Sequence, residues 1–228
     1  MSLLQIMASR EASSLYDTFE GSGAIDSGKW DVYEGNTYNS GHQAVTRTGD
    51  QYSAAITGAD ADSTSWFNDD EGLLHYVEFA GDFEFIARNI GINSGADAGD
   101  FQFGGVICWL SSGNWEFAVA GNRAGNAENT IEYKVTISET SNQNDIDDDA
   151  ITSHKCDLRV TRSGSTVNFY YQQPGESNNW TLLDHDGLSG GRVGFNTSTV
   201  RVGLVSYGFA SPANFTITCD QVEIPSGF

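Results

Sequence analysis

Five oxygen-bearing side chains in the stretch 60–71 stand at the offsets of a calcium loop. Asp60, Asp62, Thr64, Asn68 and Glu71 occupy relative positions 1, 3, 5, 9 and 12, the spacing with which a flexible loop wraps oxygen ligands around a hard divalent cation. Position 6 is Ser65 rather than Gly, so the match is partial and a solvated acidic loop competes with the metal site. Asp145, Asp147, Asp148 and Asp149 make a second acidic cluster, and the whole of 138–150 reads as a solvated surface loop. Asp82 and Glu84 share one strand face, but Arg88 continues it and no further carboxylate completes a catalytic set. Hydrolysis of a glycosidic bond needs two carboxyl groups flanking it, so an enzyme is not expected.

A second chemistry needs no catalyst. Flat aromatic rings cover the C–H faces of pyranoses while amides and guanidinium groups bond their hydroxyls. Trp109, Trp115, Tyr133, Tyr170 and Trp180, with Asn114, Asn168, Arg123 and Gln172, supply such groups. Trp109 and Trp115 read first as core aromatics. Tyr170 and Trp180 have polar neighbours, so the expected carbohydrate-binding set is Trp180, Tyr170, Asn168, Gln172 and Arg123. Cys108, Cys156 and Cys219 each lie in an apolar or strand-like run and read as small buried thiols. His42, His75, His154 and His185 are scattered and offer no ligand pair.

The charge balance narrows the partners. Across 228 residues, 11 Lys and Arg face 31 Asp and Glu, a formal net charge of -20. Nucleic acid and anionic membranes are therefore excluded as partners, because the electrostatic contribution would be repulsive. Such an excess of carboxylates calls for screening by salt, divalent ions or a positively charged neighbour. No apolar run reaches the ~18 residues of a membrane span, and MSLLQIMASR has no basic residue ahead of its short apolar patch, so no export signal is expected.

The elements that must position these residues are strands. In CDLRVTRSGSTVNFYYQ, Cys156, Leu158 and Val160 alternate with Asp157, Arg159 and Thr161, and Val167, Phe169 and Tyr171 with Asn168, Tyr170 and Gln172. That period of two, with Ser163-Gly164 between the runs, predicts a hairpin with one buried face. Similar runs are expected near 30–34, 42–47, 52–57, 73–79, 82–89, 101–110, 115–120, 130–137, 180–183, 192–195, 200–206 and 214–224. About a dozen strands without intervening helices predict an all-β, two-sheet antiparallel sandwich over 15–228. Residues 1–14 form an N-terminal arm, with the one expected helix over 2–14.

Several segments together resemble the concanavalin A-like lectin and glucanase superfamily. YDTFEGSGAIDSGKWDVYEG resembles its first strand and following Trp, and GDFEFIARN with FQFGGVICWLSSGNWEFAVAG its central hairpin. CDLRVTRSGSTVNFYYQQPGESNNWTLL resembles its Gly-turn hairpin and Trp-bearing loop, and VRVGLVSYG with FTITCDQVEI its closing strands. The resemblance spans about 15–225 and implies a jelly-roll sandwich. Retaining glucanases of that superfamily carry Glu-x-Asp-x-x-Glu on one strand, and this sequence lacks it, so their catalytic residues have no counterpart here.

A sandwich of this kind without an export signal is resolved by a virus particle, made in the cytoplasm and released by lysis. The leading expectation is a non-enzymatic lectin-like module displayed on a phage virion, as capsid decoration or a fibre or tail protein. Its partners would be virion structural proteins or like subunits through the arm, and glycans, with calcium as the one cofactor suggested. The alternatives are a free secreted carbohydrate-binding protein, a polysaccharide hydrolase or lyase, and a structural clamp that binds only protein.

Overall fold

The computed structural model describes residues 15–35, 43–59, 72–94, 101–123, 128–148, 150–183, 193–195, 198–209 and 213–225. The expected arm and helix over 1–14 and the calcium-loop residues Asp60, Asp62, Thr64, Asn68 and Glu71 lie outside the described residues, as do His42 and His185.

Among the described residues the chain forms strands β1 to β16 and no helix, as the period-two rhythm predicts. One sheet runs β13 (Thr181–Leu182), β12 (Thr166–Gln172), β11 (Lys155–Ser163), β6 (Phe83–Ser94), β15 (Ala213–Cys219), β4 (Tyr52–Ala59) and β3 (Gln43–Arg47). It also takes in β16 (Gln221–Ile224), paired to β6, and β1 (Leu15–Asp17), paired to β16, for nine strands. The other, of seven, runs β10 (Thr140–Asp148), β9 (Glu128–Ile137), β8 (Asn114–Arg123), β7 (Phe101–Ser111), β14 (Val200–Phe209), β5 (Leu73–Phe79) and β2 (Asp31–Glu34). Every pairing is antiparallel. The run expected at 214–224 is two strands broken at Asp220, and 193–195 is not a strand.

The predicted hairpin forms with its turn one residue later than expected. Asp157 pairs with Gln172 and Ser163 with Thr166, leaving Gly164 and Ser165 at the bend. The acidic stretch corrects a larger expectation. Thr140–Asp148 is not a loop but an edge strand paired with β9, in register from Thr140 to Ile146 and shifted between Ile146 and Asp148. The turn before it, Ser138 and Glu139, has φ of 50° and 62°, the left-handed geometry of a tight hairpin without the usual Gly. The neighbouring β7–β8 hairpin supports it: Ser138 N donates to Asn114 Oδ1 (3.2 Å) and Glu139 N to Gly113 O (3.1 Å). A Cβ on Gly113 would come within 2.6 Å of Glu139 Cγ, so Gly is required where the turns meet. An edge strand rich in carboxylates also resists pairing with another chain.

Between the sheets, Phe85, Ala87, Leu158, Val160, Phe169 and Ile217 face Val106, Cys108, Ala118, Tyr133, Val202 and Leu204. Gly104 lets the layers approach, since a Cβ there would lie 2.9 Å from Ile217. One end is filled by Phe19, Trp30, Tyr52 and Phe85, with ring centroids 5.7 to 6.3 Å apart. The buried Asp17 carboxylate anchors this plug, accepting from Trp30 Nε1 (2.7 Å), Phe19 N (3.0 Å) and Lys29 Nζ (3.1 Å). All three cysteines are free and buried, as expected, and burial pushes their thiols up, away from reactivity.

Tyr52 on β4 and His75 on β5 join the layers through Oη and Nδ1 at 3.3 Å. Burial lowers the His75 pKa from 6.5 to about 4. The unfolded chain therefore takes up a proton first as pH falls, so this contribution is complete above the unfolded value and is lost on descending to the folded one, about 3 kcal/mol in all. His75→Gln keeps an acceptor for Tyr52 and cannot titrate. Urea unfolding of both proteins from about pH 7 to about pH 4 should show their stability difference shrinking by that amount; a constant difference would refute a neutral buried ring.

Candidate functional site

On the outer face of the nine-stranded sheet the structure brings Tyr170 and Trp180 together, as the sequence suggested, and places two arginines against them. Arg159, opposite Tyr170 in the register, stacks on it at 5.2 Å and on Trp180 at 5.7 Å; Arg88 of β6 lies 5.5 Å from the same indole. Both guanidinium groups are already paired. Arg159 Nε bonds Glu84, while Arg88 donates from Nε to Glu223 (2.8 Å) and from Nη1 to Asp157 (2.9 Å). Burial is the largest single influence on the Arg88 pKa and lowers it, but Glu223 and Asp157 together outweigh burial and leave it raised.

The remaining members of the expected set are divided. Asn168 shares the face of Tyr170 and is half-buried. Gln172 is 1% exposed, and its amide holds the loop after β12. It donates to Asp157 Oδ2 (3.0 Å) and Glu176 O (2.8 Å) and accepts from Asn179 N (3.1 Å), so its role is to shape the loop that carries Trp180. Arg123 is at the end of β8 in the other sheet and does not join the group. Asp82 accepts from Gly164 N at 2.7 Å, capping the hairpin turn, and Glu84 is taken up by Arg159.

The outer face of the seven-stranded sheet holds the slot that sequence reasoning missed. Trp115 is buried, as expected, and Trp109 half-buried; both lie on the outward side of the sheet and pair across β7 and β8. Trp115, Phe117, Ile107, Phe103 and Val119 form a second buried cluster there, with Lys134 stacked over Trp115 and Phe117. Toward β14, β5 and β2 the cluster opens. Arg201 of β14 is opposite Trp109 on one side and Glu78 on the other. Its guanidinium carbon stands 4.6 Å from the Trp109 ring centre, 4.7 Å from Tyr76 and 5.4 Å from Tyr33. Tyr33, Trp109 and Arg201 are half-buried and reachable from solvent.

The electrostatics of this slot are mixed. Arg201 Nε donates to Glu78 at 3.3 Å, and Asp31 lies opposite Tyr76 on β2. The Tyr76 phenol is raised, by burial first; Arg201 opposes that shift and Asp31 and Glu78 add to it. The Trp109 Nε1–H is buried without an acceptor among the described residues, a cost of roughly 1–3 kcal/mol that the stack offsets. Three rings thus share one guanidinium here, whereas on the other face two rings serve two.

As to metals, no group of three or more His, Cys, Asp or Glu among the described residues is placed to hold an ion. A surface cleft lined by Glu20, Asp50 and Asp220 uses its acids internally. Asp50 accepts from Gly21 N (2.7 Å), and Asp220 from Gln51 and Asn89.

No protein-family model matches this chain, and no curated protein does. Solved structures do. A functionally unknown protein from Saccharomyces cerevisiae superposes with a TM-score of 0.59 at 14% identity, over 89% of this chain and 96% of that one. A GH43 protein of Bacillus licheniformis gives 0.61 at 11%, over 93% of this chain and 39% of that one. A pseudo β-1,3-glucanase of Mycobacterium tuberculosis, also an immunostimulatory antigen, gives 0.52 at 14%, over 94% and 98%. The fold is thus the concanavalin A-like sandwich shared with glycoside hydrolase-fold proteins. Function has to be argued from the site.

If Trp180 is held by the arginines beneath it, Trp180→Leu and Arg88→Met should couple. A double-mutant cycle on unfolding free energy should return about 0.5–1 kcal/mol, the range for a partly exposed cation–π pair. Strict additivity would rule the contact out.

Proposed function

We propose that this protein is a non-enzymatic carbohydrate-binding module that takes a polysaccharide on the outer face of its seven-stranded sheet. The supporting observation is the half-open slot in which Tyr33, Tyr76 and Trp109 surround Arg201. Ring area accessible from solvent suits the C–H faces of a pyranose, and charged groups at its edge suit the hydroxyls. The number of rings favours this face. Three rings share Arg201, which donates to one carboxylate, Glu78, whereas the two rings of the other face serve Arg88, held by two carboxylates, and Arg159, held like Arg201 by one.

Binding without hydrolysis is the better reading because the carboxylates at alternating positions, Asp82 and Glu84, are committed to Gly164 and Arg159, leaving no acid and nucleophile pair there. The likeness in fold to a GH43 protein and a pseudo β-1,3-glucanase supports a sugar as the ligand. Display on a virus particle through residues 1–14 is a further step that draws no support from these neighbours and that sugar binding does not require. Calcium on Asp60, Asp62, Thr64, Asn68 and Glu71 is likewise a separable part of the proposal.

Titration calorimetry against a panel of soluble glucans, xylans, galactans and mannans is the direct test. Trp109→Ala and Arg201→Ala should each weaken binding at least about tenfold, and Tyr170→Ala on the opposite face should leave it unchanged. The reverse pattern would move the site to the nine-stranded sheet, and product release from any bound polymer would overturn the non-enzymatic reading. For calcium, millimolar addition should raise the Tm of the wild-type protein and not that of the Asp60→Ala, Asp62→Ala double variant; equal shifts would refute the site.

A further inference from the structure

We infer that this slot discriminates against charge: Asp31 and Glu78 make it select neutral sugars and reject those bearing a carboxylate. The inference rests on the sugar-binding reading and adds the class of ligand.

The geometry of three strands carries the argument. Asp31 on β2 faces Tyr76 on β5 in the register, and Glu78 follows Tyr76 on the same face. Arg201 faces Glu78 from β14. Two carboxylates therefore flank the rings against one guanidinium, and both are accessible: Asp31 is exposed, and the Glu78 side chain is 40% exposed against 26% for Arg201. The influence of both acids reaches the centre of the slot, since each acts on the Tyr76 hydroxyl in the same direction.

The hydrogen-bonding inventory points the same way. The slot offers donors on Arg201 and acceptors on Asp31 and Glu78. A sugar hydroxyl both donates and accepts, so neighbouring hydroxyls can bridge the guanidinium and a carboxylate. A ligand carboxylate only accepts. It would have to take Arg201 away from Glu78 while standing near two like charges, and like charges about 6 Å apart in water already cost a fewfold in affinity each. A sequence with 31 acids repels anions in general, so the claim is specifically that these two set the local preference.

The test compares the neutral polysaccharide bound in the panel with its partly carboxylated derivative, at low and at high salt. The wild-type protein should prefer the neutral polymer by about threefold to tenfold at low salt, with the gap narrowing as salt screens the site. Asp31→Asn and Glu78→Gln should each narrow it without added salt, and the double variant should favour the carboxylated polymer. Glu20→Gln, at the edge of the other sheet, removes one charge from the whole chain and should leave the preference as it was. Circular dichroism of each variant checks that the sandwich is intact. Equal affinities or a preference for the carboxylated form in the wild type would overturn the inference while leaving sugar binding standing. So would a neutral preference that survives both slot substitutions, or that Glu20→Gln reduces equally. Failure to bind any polymer in the panel would overturn the sugar-binding reading and this inference with it.

Discussion

A strand in a two-layer sandwich ordinarily packs one face and wets the other, and β7, β8 and β14 break that division. Their inward residues Val106, Cys108, Ala118, Ala120, Val202 and Leu204 build the core, while their outward residues Phe103, Ile107, Trp115, Phe117, Val119 and Val205 build a second buried cluster. The seven-stranded sheet is thus held from both sides. Its outer cluster grades from fully buried at Trp115 and Phe117 to half-open at Tyr33 and Trp109, so the slot is the open margin of a packed surface. Ring positions in it are fixed by the same packing that stabilises the fold, which reduces the ordering a ligand must impose on binding.

Scarcity makes the cations informative. With 11 Lys and Arg among 228 residues, few can be spared for solvent, and the described arginines are each engaged in structure. Arg162, 2% exposed, ties Gly164, Ser198 and Phe195 together through their carbonyl oxygens. Arg47 does the same for Glu20 and Ala24. Arg88, Arg159 and Arg201 lie on the outer faces of the sheets, each under at least one ring and beside at least one carboxylate. A planar guanidinium suits this position because it stacks and forks at once. The edge strand β10 carries Asp145, Asp147 and Asp148 in its sequence, and charge on an edge strand discourages strand-to-strand aggregation.

Alternation along 155–172 was enough to read the hairpin and its buried face, because Leu158, Val160, Val167 and Phe169 have no apolar partner on the other side. The same signal reads Trp115 correctly as buried with Phe117 and Val119, but Trp109 is half-open. Where both faces are apolar, a period of two cannot say which of them lies between the sheets. It failed differently at β10: the chain reverses at Ser138 and Glu139, which adopt the left-handed region without a Gly to announce it, and the strand that follows is too acidic to look like one. Gln172 looked available because its neighbours are polar, yet Asp157 and the loop after β12 claim its amide. Arg201 escaped notice for a topological reason. Its ring partners at 33, 76 and 109 lie on three different strands, and nothing in VRVGLVSYG marks the arginine as the point where they converge.

That convergence follows from where β14 sits. It lies between β5 and β7, so one outward side chain on it reaches a partner on either side, Glu78 and Trp109 in the register, with Tyr33 one strand beyond β5. Because side chains alternate, slipping β14 by one residue would turn Arg201 into the interior and bring Val202 out to the rings. A guanidinium between the sheets would be left without its carboxylate, a far larger penalty than any single contact in the slot could offset. The arrangement of Arg201, its three rings and its two flanking acids is therefore set by the pairing that keeps Val202 and Leu204 in the core. Asp31 and Glu78 are surface side chains that can be altered without disturbing that pairing, whereas moving Arg201 would require the sheet itself to be rebuilt.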